Sequence, residues 1–278
     1  MHAANTILGY LFEVVMFPFR QWPITGLVLI SIVASVGILL IFKRVSNQDR
    51  IDAVKRRIQA SLFEIRLFND DLRAILRAQV DILRHNFSYL RLQLVPLVFI
   101  LPPVILLMAQ LQPYYGYEGL EIGESVLVKA EMRSSGSEDG TGFTLDDKPA
   151  VTLDVPAGLE LETPAVWVPS KGELIWRMSA DQTGDYELQF ETGGQKYSKR
   201  VRVTDRTVRR SPRRVSSLAD QFLYPVEDPL PKTAPFRSLT VTYPEDPELL
   251  LMPRWMWIFF VVTMVFAFAL RKPMGVTI

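Results

Sequence analysis

The sequence predicts an α-helical membrane protein with three transmembrane helices plus a cytosolic two-helix coiled coil, joined to an all-β sandwich domain across the bilayer. Three observations predict it. Stretches without a charged residue occupy 22–42, 94–111 and 255–270. A basic segment with helical periodicity separates the first from the second. Short alternating runs divided by turn residues fill most of the chain between the second and the third.

The chain begins with "NTILGYLFEVVMFPFR" (5–20), which is apolar around a lone Glu13. That gives an N-terminal interfacial segment over 1–21, a helix lying among the headgroups. Transmembrane helix 1 follows at 22–43. Its 21 uncharged residues reach about 31 Å, against a hydrocarbon core of about 30 Å. It does not read as a cleavable signal peptide, because no basic region precedes it and Lys43 and Arg44 follow in place of small residues.

Residues 44–93 are predicted to form a cytosolic coiled-coil hairpin. Ile51, Val54, Ile58, Leu62 and Ile65 recur at helical spacing. Beyond Asn69, Asp70 and Asp71 the pattern resumes with Leu72, Ile75 and Leu76. It then runs through Val80, Leu83, Phe87, Leu90 and Leu94 in alternating steps of three and four, the signature of a heptad seam. One unbroken helix over this segment would reach about 75 Å and end far from the bilayer that the next stretch must enter. The chain therefore turns back, and "NDD" is the expected place, since Asn and Asp favour turns and helix N-caps.

Transmembrane helix 2 spans 94–112, where Pro96, Pro102 and Pro103 predict a broken span. Transmembrane helix 3 spans 253–271. Its 16 uncharged residues reach only about 24 Å, short enough for a buried core helix as the alternative. Trp255 and Trp257 at one end, with Arg271 and Lys272 at the other, favour a membrane span, and 272–278 is then a cytosolic tail.

Charge sets the orientation. Residues 43–93 hold 11 Lys/Arg against 6 Asp/Glu, whereas 113–252 hold 16 against 23. The positive-inside rule places the hairpin in the cytoplasm and the N-terminus and long loop outside, in a multi-pass protein of the cell inner (plasma) membrane. Trp22, the tyrosines 114, 115 and 117, and Trp255 all fall at the predicted outer ends. The chain has no cysteine and only His2 and His85. No disulfide framework, thiolate metal site or histidine triad is expected, and the reading is a non-enzyme with no catalytic residue, metal or cofactor.

From 117 to 204 the texture becomes β. "ESVLVKAEM", "AVTLDV", "AVWV", "ELIWRMS", "DYELQFE" and "KYSKRVRV" read as strands. Leu174, Trp176 and Met178 face one way in their run, as do Tyr186, Leu188 and Phe190 in theirs. Between them "ADQTGDY" resembles the D-x-G-x-Y corner of immunoglobulin-like sandwiches, with two residues rather than one between Asp181 and Gly184 and Leu188 where antibody domains carry cysteine. The acidic "SEDGTGFTLDD" (137–147) misses the spacing of an EF-hand loop. Residues 205–252 read as a proline-containing connector, semi-rigid and extended, in which "FRSLTVTY" is the one candidate for a further strand and the arginines of 209–214 are expected to meet lipid phosphates.

An outward N-terminus, one span, a basic cytosolic hairpin and two further spans resemble the YidC-type membrane-insertase superfamily. The likeness is greatest to its three-span branch, which includes the third subunit of the ER membrane complex and its prokaryotic relatives. It rests on "FKRVSNQDRIDAVKRRIQASLFEIRLFNDDLRAILRAQ" and on "HNFSYLRLQLVPLVFILPPVILLMAQL". The resemblance implies a half-open bundle with a polar groove and a hairpin that receives substrates. Carried onto this chain, it makes Arg50, Lys55, Arg56 and Arg57 the partner-contact residues of the hairpin. Thr25, Ser31, Ser35, Gln110 and Thr263 are then the groove candidates, with ordinary helix packing as their alternative role.

The implied partners are membrane lipids, nascent membrane proteins or the ribosome, and other membrane subunits, with no reading of nucleic-acid sequence. One departure stands out: family members often carry a basic residue inside the first span, and here none lies between Trp22 and Phe42. A chaperone or scaffold role therefore stands beside insertion. So does a protein whose working part is the outer sandwich, anchored by its helices.

Overall fold

The structure, a computed structural model, describes residues 2–67, 72–133 and 143–276. Its helices are α1 (His2–Met16), α2 (Pro23–Val45), α3 (Gln48–Leu67), α4 (Leu72–Tyr115), α5 (Leu218–Leu223) and α6 (Arg254–Leu270). Its strands are β1 (Ser125–Met132), β2 (Thr152–Asp154), β3 (Leu159–Leu161), β4 (Val166–Val168), β5 (Glu173–Ala180) and β6 (Gly184–Thr192). They continue as β7 (Gln195–Val203), β8 (Arg213–Val215), β9 (Phe236–Val241), β10 (Glu248–Leu249) and β11 (Met252–Pro253). The chain divides into two compact units: 1–26 with 107–255, and 27–106 with 256–278.

The helical unit follows from apolar sequence with punctuated ends. Pro23 sits in the first turn of α2, where a missing N–H costs nothing, and Lys43 and Arg44 lie in the last turn, where the helix dipole favours cations. Among the described residues two helices, α2 and α4, are long and apolar enough to cross a bilayer. Their apolar residues are turned outward in large part: Val33, Leu40, Val98 and Phe99 are exposed, which suits a hydrocarbon surrounding. With 17 residues, α6 is a shorter apolar helix. Past it, Gly275 adopts a left-handed conformation and Val276 packs with Leu39 and Phe42 of α2, while Lys43 donates to the Met274 carbonyl at 2.7 Å.

The expected break at the prolines does not occur. Helix α4 runs unbroken for 44 residues through Pro96, Pro102, Pro103 and Pro113, and the boundary expected at 93/94 falls inside it. Each proline removes one rung of the hydrogen-bond ladder. Ending the helix in an apolar surrounding would expose several backbone groups instead, which is the larger penalty.

In the other unit, one sheet has the order β3-β5-β1-β9-β8, with β4 also pairing β5; the second has the order β2-β6-β7. Register brings like faces together. Val128 lies opposite both Trp176 and Val241, and Ala130 opposite Leu174 and Leu239, all buried. Across the interior, Trp176 meets Phe190 edge-on at 5.7 Å, and Tyr197 meets Phe236 at 5.3 Å. The two sheets share one core, as in a sandwich. At the corner before β6, the Tyr186 hydroxyl donates to the Gln182 carbonyl at 3.0 Å. A side chain at Gly158 would collide with that ring, and its φ of +102° independently demands glycine.

The connector is also corrected. Strands β8 and β9 belong to the larger sheet, and Phe236, Leu239 and Val241 are fully buried in the core. The sandwich therefore continues well past 204. Proline punctuation was misleading because alternating "FRSL" and "TV" supply an inward face that extended chain alone would waste.

Candidate functional site

The helix pair is built from a cap and two stripes. The Asn47 side chain accepts from the Arg50 backbone N–H at 3.1 Å, fixing the start of α3. At about 100° per residue, Arg50 and Arg57 share a face and Arg56 lies about a quarter-turn away. All three are exposed, whereas the Lys55 ammonium sits over the Tyr89 ring of α4, 5.7 Å from its centroid. The four basic residues thus do not form a single patch. The Lys55–Tyr89 contact also shows that α4 doubles back along α3; the proposed turn residues, 69–71, lie outside the described residues.

The predicted seam on α4 faces outward. Leu83 and Phe87 are 70% and 71% exposed, and Val80, Leu90 and Leu94 are exposed with them. Helix α4 carries a second stripe at the same spacing, Ile75, Ala78, Ile82, His85, Tyr89 and Leu92, and this is the one turned inward, with Ala78 fully buried. On α3 the inward positions are Ile51, Val54, Ile58, Ser61 and Ile65, so Ser61 takes the place expected of Leu62. Leu62, Phe63 and Leu67 are exposed, and a shallow apolar depression forms around Ala60, Phe63 and Leu67, rimmed by Glu64 and Arg66.

Among the expected groove residues, Ser31 and Thr263 meet: the Thr263 hydroxyl donates to the Ser31 carbonyl at 3.4 Å. The Ser31 and Ser35 hydroxyls donate to the carbonyls of Leu27 and Ile32 at 2.7 Å each. All three side chains are buried. They are satisfied by backbone, and the Thr263–Ser31 bond joins α6 to α2. Gln110 belongs to the other unit, where it accepts from Arg209 at 3.4 Å, and Thr25 is exposed.

Sequence reading missed the polar centre of the sandwich. Alternation along β7 turns Tyr197, Lys199, Val201 and Val203 inward, so a lysine occupies a core position at 0% exposure. Its ammonium donates to the Glu227 carboxylate at 2.5 Å, the Ser211 carbonyl at 2.6 Å and the Ser211 hydroxyl at 3.1 Å. Glu227 also accepts from the Ser211 hydroxyl and from the Arg200 backbone N–H at 3.1 Å. Burial lowers the Lys199 pKa, with Glu227 opposing. For Glu227, burial pushes upward, but Lys199, Ser211 and the Arg200 N–H together hold its carboxyl below the usual range.

Beside this cluster opens a cleft of about 380 Å³, lined by Tyr10 and Glu13 of α1 and by Ser198, Arg200, Arg209 and Arg214. The guanidinium of Arg209 lies where a side chain at Gly9 would be, and donates to the Pro225 carbonyl at 3.0 Å. Arg210 is buried, donating to the carbonyls of Tyr117, Thr204 and Arg206, and Arg213 pairs with Glu131 at 2.7 Å. These arginines, expected at lipid phosphates, instead bind together parts of their own unit.

Three helix ends meet at one place in the same unit. The Tyr115 hydroxyl donates to the Pro23 carbonyl at 2.9 Å, and its ring stacks on Trp255 at 6.3 Å. Asp246 accepts from the Trp255 backbone N–H and from Arg254, both at 3.0 Å, capping α6. Among the described residues no group of three or more His, Cys, Asp or Glu side chains is placed to hold a metal ion. No protein-family model and no curated protein matches the chain.

Proposed function

We propose that this is an insertase-like or chaperone-like integral membrane protein of the YidC type, which assists other membrane proteins through its helix pair. The carrying observation is the uncovered apolar end of α3, where Phe63 and Leu67 are 65% and 76% exposed. Burial of apolar surface gains about 25 cal/mol per Å², so this end binds an incoming apolar segment before the bilayer does. Arg56 and Arg57, about two turns before Phe63 and three before Leu67, hold the helix near anionic headgroups. In this reading α2, α4 and α6 all span the membrane, with the N-terminus and an immunoglobulin-like sandwich outside. The 17 residues of α6 reach only about 25 Å, which favours a locally thinned bilayer and a shorter path for polar flanks.

Photo-crosslinking from a probe at Ala60, which lines the same depression, tests this in living cells. Adducts with newly made membrane proteins, lost in Phe63→Asp/Leu67→Asp but kept in Glu64→Gln, are the expected result. Adducts that persist in the double variant, or none at all, sink the reading.

A second reading places the work in the sandwich, and the cleft beside Arg200 and Arg209 favours it. Its volume falls within the range of about 300–1,000 Å³ common for small-ligand sites. Arg200→Ala in the full chain then removes the function while crosslinking from Ala60 is unchanged.

A further inference from the structure

Helix α4 leaves its more hydrophobic stripe uncovered. Leucine recurs at every seventh position, Leu76, Leu83, Leu90 and Leu97, and Val80, Phe87 and Leu94 alternate with them. All are exposed. Helix α3 does not serve this stripe, because the Lys55–Tyr89 contact and the buried Ala78 lie on the far side of α4. Arg77, Asp81, Arg84 and Arg91 fall in the part of α4 ahead of its uncharged run, so at least Leu76 to Phe87 lie where no hydrocarbon need surround them.

We propose that this stripe is a dimerisation seam, on which α4 packs in parallel and in register against α4 of a second copy of this chain. Three observations select a second copy. Leucine fills one heptad column and Val80, Phe87 and Leu94 fill the other, a continuous apolar seam that a like helix can match knob for hole. One flank carries Arg77, Arg84 and Arg91, and the other carries Gln79, Asn86 and Gln93. In a parallel pair each flank meets the opposite flank of the second copy, so Gln79 reaches its Arg84 and Asn86 reaches its Arg91 without like charges in contact. An antiparallel pair would set arginine against arginine. Two copies inserted the same way round in one bilayer are necessarily parallel. Arg73, at the next heptad position back, ends the run.

The cysteine-free chain makes the test direct in the full-length protein in its membrane. Leu83→Cys and Leu90→Cys, each alone, should form disulfide-linked species of twice the chain mass on oxidation. His85→Cys and Ser88→Cys, off the seam, should form at least about tenfold less, because heptad core positions alone bring like residues face to face. Equal linkage at all four positions, linkage to a different protein, or none at 83 and 90 overturns the proposal. A second variant reads the sign of the charge. Gln79→Glu/Asn86→Glu creates four new ion pairs with Arg84 and Arg91 across a dimer, and should tighten association between fluorescently labelled copies in vesicles by about tenfold. An acidic partner helix would instead be repelled by the new glutamates, so unchanged or weakened self-association also overturns it.

Discussion

The sandwich and the helix pair handle misplaced chemistry in opposite ways. In the sandwich a lysine stands at a core position, and the fold brings a glutamate, a serine and its backbone carbonyl to it from two separate stretches of chain. In the helix pair large apolar residues stand at the surface, and nothing among the described residues covers them. The first region has closed around its irregularity, while the second has left its own open. An internally satisfied polar centre is a stability device, and an unsatisfied apolar stripe is an invitation to bind.

The comparison breaks most sharply at Glu227. Glu227→Gln leaves Lys199 buried without its counter-charge, so the sandwich should lose about 3–5 kcal/mol, read from Trp176 fluorescence during denaturant unfolding. Lys199→Met/Glu227→Leu should recover most of that loss, since a well-packed apolar pair of similar volume often equals or exceeds a buried ion pair. A double variant as unstable as the single would show that the cluster does more than neutralise one charge.

The next contrast sets one leucine against another. Leu174→Ala empties a fully buried site and should destabilise its unit by about 2–5 kcal/mol. Leu83→Ala, with the protein diluted to monomer, should change unfolding by no more than about 0.5 kcal/mol. Comparable losses at the two positions would mean that α4 is covered within its own chain.

Acid sharpens the same point. The folded-state pKa of Glu227 lies below its unfolded value near 4.5, so its stabilising contribution is present above that value and is lost as pH falls through the folded pKa. Stability of the wild-type sandwich should therefore fall on acidification more steeply than that of the Lys199→Met/Glu227→Leu variant. The smallest effect is expected at the corner: Tyr186→Phe removes one hydrogen bond to Gln182, worth about 0.5–1.5 kcal/mol by thermal unfolding.

Much of this was legible in the sequence. Absence of charge marked α2 and the apolar part of α4, and period-two alternation marked β1, β5, β6 and β7, with the inward residues of β5 and β6. Two helices were foreseen from the length of the basic segment, and most of the inward face of α3 with them, but the inward face of α4 was not. A heptad stripe says which residues act together and not what they act upon, and on α4 the greasier of two stripes was assigned to the wrong partner. The serines on α2 and Thr263 were identified as polar positions, yet a hydroxyl that bonds its own backbone looks the same in sequence as one that lines a groove. Lys199 was the most readable of the missed features, since alternation from Tyr197 to Val203 already turns it inward. Its partners were invisible because they come from 211 and 227, in a stretch that proline content disguised as linker.

The origin of those partners has a consequence for synthesis. Strand β7 leaves the ribosome well before Ser211 and Glu227 do, and until they arrive it holds an ammonium that no finished core can accept. The sandwich cannot complete itself from its first seven strands; it waits for the stretch through β9. A fragment cut after residue 204 would be an arrested intermediate, and any attempt to graft this domain elsewhere must carry the chain at least to Tyr243.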